Sequence, residues 1–243
     1  MISNIRYAEW SSRRDSRRQR NGNSLLTEVQ AMAFDFKSRP PRPRKGDRLF
    51  RCDLPGKSDN VRLRCDPDAY TVGYRRAAEH LVQCVLAHPR ESGSLTIPIL
   101  FLYRHHVELS LKRIIYCTPG LLRRDLTRSE QTHLEQHDLC QLWHDLEPIL
   151  ASIFEAVNWE KPKAADLEGI EEYVRQLARV DPFSTSFRYW KTNAGSSSLP
   201  ASLPDFNIRH FSETMGRLAD FVEALDTATT AASEMLDDLD NAH

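Results

Sequence analysis

Glycine and cysteine are both scarce in this chain of 243 residues: 9 and 5 respectively. The cysteines, Cys52, Cys65, Cys84, Cys117 and Cys140, are odd in number and include no CxxC pair, which argues against a disulfide framework or a zinc ribbon. A reducing, cytoplasmic setting fits that usage. No apolar run approaches the roughly 20 residues that a membrane span needs. The start, MISNIRYAEWSSRRDSRRQR, has no apolar stretch followed by a small-residue cleavage site, so it does not read as a secretory signal. Gly-rich phosphate loops, HExxH, GxSxG and paired acidic metal motifs are missing as well, and with them support for an ATPase, a zincin or a serine hydrolase. No internal repeat is present, and nothing calls for a cofactor.

What is there begins with an uneven distribution of charge. The formal net charge is -1, yet 16 of the 33 Lys and Arg residues precede Asp66, against 7 of the 34 acidic ones. We therefore divide the chain into a basic extension, 1–65, and a globular part, 66–243. The first 25 or so residues carry Arg13, Arg14, Arg17, Arg18 and Arg20 and little that could enter a core, which predicts a mobile arm. Pro40, Pro41 and Pro43 favour extended backbone, and Pro55-Gly56 marks a turn across which 48–52 and 61–65 pair as a short hairpin. The arginines suit RNA, a partner protein, or the protein's own acidic surface.

From Asp66 the hydrophobic period becomes helical. Tyr74, Ala77, Ala78, Leu81, Val82 and Val85 mark a first helix, from Pro67 to His88-Pro89. Pro98 opens a second, closed by Thr118-Pro119-Gly120. Leu139, Leu142, Trp143, Leu146, Ile149, Leu150, Ile153, Phe154 and Val157 form the most regular stripe in the chain, capped by Asp138 and kinked or broken at Pro148. Leu167, Ile170, Val174, Leu177 and Ala178 give a fourth helix that stops before Asp181-Pro182. A long aperiodic stretch follows, with Arg188, Tyr189 and Trp190 in it. Phe211, Met215, Leu218, Val222 and Leu225 mark the last helix, from about Ile208 into the acidic tail. The sum is an all-α bundle behind a basic, mostly irregular extension.

Candidate chemistry concentrates on the second helix, IPILFLYRHHVELSLKRII. Arg104, Glu108 and Lys112 recur every four residues, so Glu108 can pair with both cations. The helix is apolar nearly all round, which places it centrally and puts this polar row in a buried or cleft-lining position. Two readings follow. In one, the row is a self-neutralising ladder that fixes helix register. In the other, it is a site in which Glu108 orients His105 and raises its pKa for acid/base work while Arg104 stabilises charge, an arrangement suited to metal-independent RNA cleavage through the RNA's own 2'-hydroxyl. His133, His137, Cys140 and His144, spaced four, three and four apart, share one helical face. A single straight helix cannot wrap four ligands tetrahedrally, so they read as a solvated polar face rather than a metal site. Arg188, Tyr189 and Trp190 either stack on unpaired bases or a partner, or seal the long loop onto the bundle.

Three segments, PILFLYRHHVELSLKRII, HDLCQLW and SFRYW, resemble the HEPN group of helical bundles found in bacterial and archaeal defence and toxin–antitoxin loci. Glu108, Leu109, Leu111 and Lys112 resemble that group's charged E-x-x-L-K-like pattern. His137, Asp138 and Leu139 resemble its H-D/N-L helix start, and Arg188 and Tyr189 an Arg-Tyr pair before a late helix. The likeness spans about 66–225. It implies a homodimer of bundles, often a metal-independent ribonuclease with Arg and His four to six residues apart across the dimer cleft, and sometimes an antitoxin or other partner protein. Here His105 and His106 follow Arg104 at once, and that wider spacing occurs instead as Arg75 to His80 and Arg128 to His133. The site residues so implied are Arg104, His105, Glu108, His137 and Arg188, with Lys112, Tyr189, Trp190 and the arginines of the arm in RNA or partner binding. The alternative is a non-catalytic module of the same fold that binds RNA, a nucleotide or a partner.

Overall fold

The computed structural model describes residues 66–156 and 158–241. The basic extension, with Arg13, Arg14, Arg17, Arg18 and the expected hairpin, lies outside the described residues, as does Val157. Among the described residues the regular structure is helical: α1 (Pro67–Ala87), α2 (Ser92–Leu122), α3 (Arg128–Glu135), α4 (Leu139–Ala156), α5 (Ala164–Val180) and α6 (Ile208–Asn241), with a 3-10 turn at Pro89–Glu91. The only β pairing among them is an isolated bridge between Lys191 and Ser197. No described helix is long and apolar enough to cross a membrane.

The central stretch is central in space. α2 packs against α1, α4 and α6, and its Ile99, Tyr103, Val107, Leu111, Ile114 and Ile115 are buried among Val82, Leu142, Leu146, Leu218 and Val222. Each such side chain removed from water contributes roughly 1.5–3 kcal/mol, so a helix buried on most of its faces anchors the whole bundle.

Its limits differ from those the prolines predict. α2 starts at Ser92, growing straight out of the 3-10 turn, and Pro98 sits inside it. The first turns are exposed, so the carbonyl that Pro98 leaves without its usual donor, four residues back on Ser94, belongs to an exposed residue. Pro119 does not end the helix either. The carbonyl it would have left unpaired, on Ile115, accepts from the buried Thr118 Oγ1 at 2.8 Å. The chain leaves the helix only at Arg123, which adopts the left-handed conformation with φ 48°.

The polar face expected to unite His133, His137, Cys140 and His144 is divided between elements. α3 is a separate two-turn helix, closed at its start by a capping box in which Thr127 and Glu130 each bond the other's backbone. Asp138 then begins a new helix, its Oδ1 accepting from Cys140 N at 2.9 Å and Gln141 N at 3.3 Å. His133 therefore lies on α3, His137 in the break, and Cys140 and His144 on α4. Among the described residues no group of three His, Cys, Asp or Glu side chains is placed to hold a metal ion. α4 runs through Pro148 without a break, and α6 continues through the acidic stretch to Asn241.

Candidate functional site

Arg104 is among the largest of the fully buried side chains described in the bundle, 0 % exposed. A guanidinium can occupy such a place only if its donors are met. Nη1 donates to Glu108 Oε2 at 2.6 Å, Nη2 to the His137 carbonyl at 2.6 Å, and Nε to the Asp181 carbonyl at 3.1 Å. The carboxylate of Asp181, equally buried, lies 3.3 Å from Nε. Three segments distant in sequence, the middle of α2, the α3–α4 break and the end of α5, thus meet on one cation. With its donors turned inward and no exposed surface, Arg104 presents none of its charge to solvent.

Glu108 distributes what Arg104 gathers. Its Oε1 accepts from Lys112 Nζ at 3.0 Å and from His137 Nδ1 at 2.7 Å, while Oε2 serves Arg104. Burial alone would push this carboxyl's pKa up, but the bonds from His137 and Lys112 and the charge on Arg104 outweigh burial and hold it at about 2. An ionised carboxylate has only lone pairs to offer, so the shared proton resides on His137 Nδ1. Nε2, the other ring nitrogen of an imidazole whose side chain is 47 % exposed, has no hydrogen-bond partner among the described residues.

His105 takes no part in that chain of bonds. It is half-buried, edge-on to Tyr74 with ring centroids 4.5 Å apart and stacked on Phe101 at 5.4 Å, and its Nδ1 is buried without a hydrogen-bond partner. Burial pushes its pKa down, and although Glu108 pulls the other way, the charges of Arg104 and Arg188 add to the lowering. The expectation that Glu108 orients His105 and raises its pKa is therefore corrected. Residues one turn apart can meet, but the carboxylate turns to the cationic side of α2, where Arg104 and Lys112 lie, and its Oε1 also accepts from His137.

Asp181 is the element that sequence reading passed over. Its Oδ1 accepts from Thr185 N at 2.7 Å and Ser186 N at 2.8 Å, closing a turn in which Ser184 stands at φ 55°. Arg188 folds back on that turn, with Nε bonded to the Ser184 carbonyl. Phe187, not the next two aromatics, seals the segment onto the bundle. Tyr189 and Trp190 are 59 % and 81 % exposed, Arg188 stands 5.8 Å from the Tyr189 ring, and Lys191 Nζ lies 4.4 Å over Trp190. The only sign of Asp181 in the sequence is an Asp-Pro helix stop, which equally describes a surface turn.

The alternative Arg-to-His spacings do not form a comparable centre. Arg75 is engaged by Glu79, Asp220 and Glu223, and His133 Nδ1 lies 2.7 Å from Asp145. Comparison with family models, curated proteins and solved structures finds no match to this chain.

The low pKa of Glu108 makes stability depend on pH with a definite sign. In the unfolded chain the carboxyl takes up its proton near its ordinary value of 4.5, in the folded protein only near 2, so the stabilisation is complete above about pH 5 and is lost as pH falls from 4.5 to 2. Urea unfolding of the wild type at pH 6, 4 and 3 should show this loss. The Glu108→Gln protein, already weaker at pH 6, should lose distinctly less over the same interval. Parallel losses in the two proteins would assign the acid sensitivity elsewhere.

Proposed function

We propose that this chain is an HEPN-like, RNA-directed protein that acts as a metal-independent ribonuclease in bacterial defence or stress. The observation that carries the reading is the Glu108–His137 pair, a carboxylate-oriented imidazole whose Nε2 has no partner among the described residues. In the reaction Nε2 takes the proton of an RNA 2'-hydroxyl, the 2'-oxygen attacks the adjacent phosphorus, and the 5'-oxygen departs with a proton returned by an acid, leaving a cyclic phosphate. Lys112, itself bonded to Glu108, and Arg188 supply positive charge for the phosphate, while Arg104 holds the imidazole's own backbone in place. Under this reading the protein works in the cytoplasm as a homodimer, restrained by an antitoxin or similar partner.

A second reading is a non-catalytic module that binds RNA, a nucleotide or a partner protein. It is favoured by the complete burial of Arg104 and by Trp190 standing in solvent beneath Lys191. Aromatic rings so placed accept unpaired bases, each worth about 1–3 kcal/mol.

One experiment separates the two. The full-length protein is incubated with a mixed cellular RNA pool and with single-stranded DNA, both in EDTA. Cleavage of RNA alone supports the ribonuclease. If neither is cut, but RNA binding weakens by about tenfold or more on Trp190→Ala, the binding module is supported instead. Protein that neither cuts nor binds RNA refutes both RNA readings.

A further inference from the structure

Beside the Arg104 centre, Leu100 of α2, the last turns of α5, the start of α6 and the loop between them line an open pocket of about 540 Å3. Its floor is Leu100, Leu177, Phe187 and Met215, all nearly inaccessible, with Phe211 on the α6 side. A void of that size falls within the roughly 300–1,000 Å3 typical of small-molecule sites, and its apolar floor gives little to hold ordered water. The lining contains no Asp or Glu, in a chain that has 34 of them. It does contain Arg179 and His210. Arg179 is exposed and makes only a long 3.7 Å contact with Glu172, a carboxylate already bonded to Arg175 and Gln176. Arg179 is therefore a weakly engaged cation among the residues that line this largely apolar pocket.

We infer that this cavity is a binding site for a small amphipathic carboxylate, its hydrocarbon or aromatic body on the Leu177, Phe187 and Met215 floor and its anionic group on Arg179. A cation in the same place would meet Arg179 with no acidic side chain in the lining to offset it. A neutral ligand would leave the guanidinium unused. The inference is independent of the ribonuclease reading, because it concerns neither His137 nor RNA.

The test uses decanoate as probe, with decylammonium and decanol as controls, titrated into full-length protein by calorimetry below micelle-forming concentrations. Decanoate should bind saturably at one site per chain, decanol more weakly, and decylammonium not at all. A charge-assisted contact of this kind supports a loss of about tenfold or more in affinity on Arg179→Glu, a substitution at an exposed position that should lower the melting temperature in the absence of ligand by no more than about 2–4 °C. Ser202→Trp, at the exposed rim, should obstruct entry and weaken decanoate and decanol alike. The inference is overturned if decanoate does not saturate, if decylammonium binds equally well, or if Arg179→Glu leaves the affinity as it was.

Discussion

Arg104→Ala should be among the most destabilising single substitutions in this protein, costing about 3–5 kcal/mol, because it removes one partner of a buried charge cluster and leaves the others in place. Glu108 and Asp181, both buried, would lose their shared cation, and the carbonyls of His137 and Asp181 would lose their donors. For a domain of this size that is a fall in melting temperature of about 10 °C or more, measurable by circular dichroism. The accompanying Glu108→Leu change should restore part of the loss, since it removes a buried carboxylate that Arg104→Ala deprives of its closest cation. A melting temperature within 2–3 °C of wild type for Arg104→Ala, roughly 1 kcal/mol, would show that the three segments are not held together through this guanidinium.

His137→Ala should do the opposite. The ring is half in solvent, and Glu108 retains Arg104 and Lys112 when it is gone, so stability should change by no more than about 1 kcal/mol. Cleavage of RNA, if His137 is the acid/base group, should fall by about 100-fold to 10,000-fold. His105→Ala is the informative companion. Its imidazole is wedged between Tyr74 and Phe101 rather than presented to solvent, so its loss should act on packing and reduce turnover much less. Equal rates for wild type and His137→Ala, with the variant folded, would remove the proposed site even if RNA cleavage itself were established. The pair of substitutions thus separates the group that holds the centre together from the group that faces solvent.

Much of the architecture was legible in the chain itself, and the reason is local. Helical hydrophobic spacing is a property of neighbouring residues, so Val82, Leu142, Leu146, Val174, Leu218 and Val222 could be assigned to inward faces before any packing was known. Asp138 could be read as a cap because a cap bonds backbone only two or three residues away. Prolines misled at Pro98 and Pro119 because the cost of each depends on surroundings that the spacing does not show, namely an exposed first turn in one case and the Thr118 hydroxyl in the other.

The polar ladder on α2 was equally a matter of spacing, since Arg104, Glu108 and Lys112 lie four residues apart on one helix. Which histidine completes it was not. Both His105 and His137 were candidates, and the choice rests on where the α3–α4 break delivers residue 137, 29 positions from Glu108. Asp181 lies farther still, 77 positions from the guanidinium it meets. The sequence by itself determined an all-helical bundle with a charged row on its central helix, because period and pairing are written over single turns. Tertiary structure alone decided that Arg104 is sealed inside and that His137 stands over it in solvent, because burial and the third partner of a charge are set by segments that become neighbours only on folding.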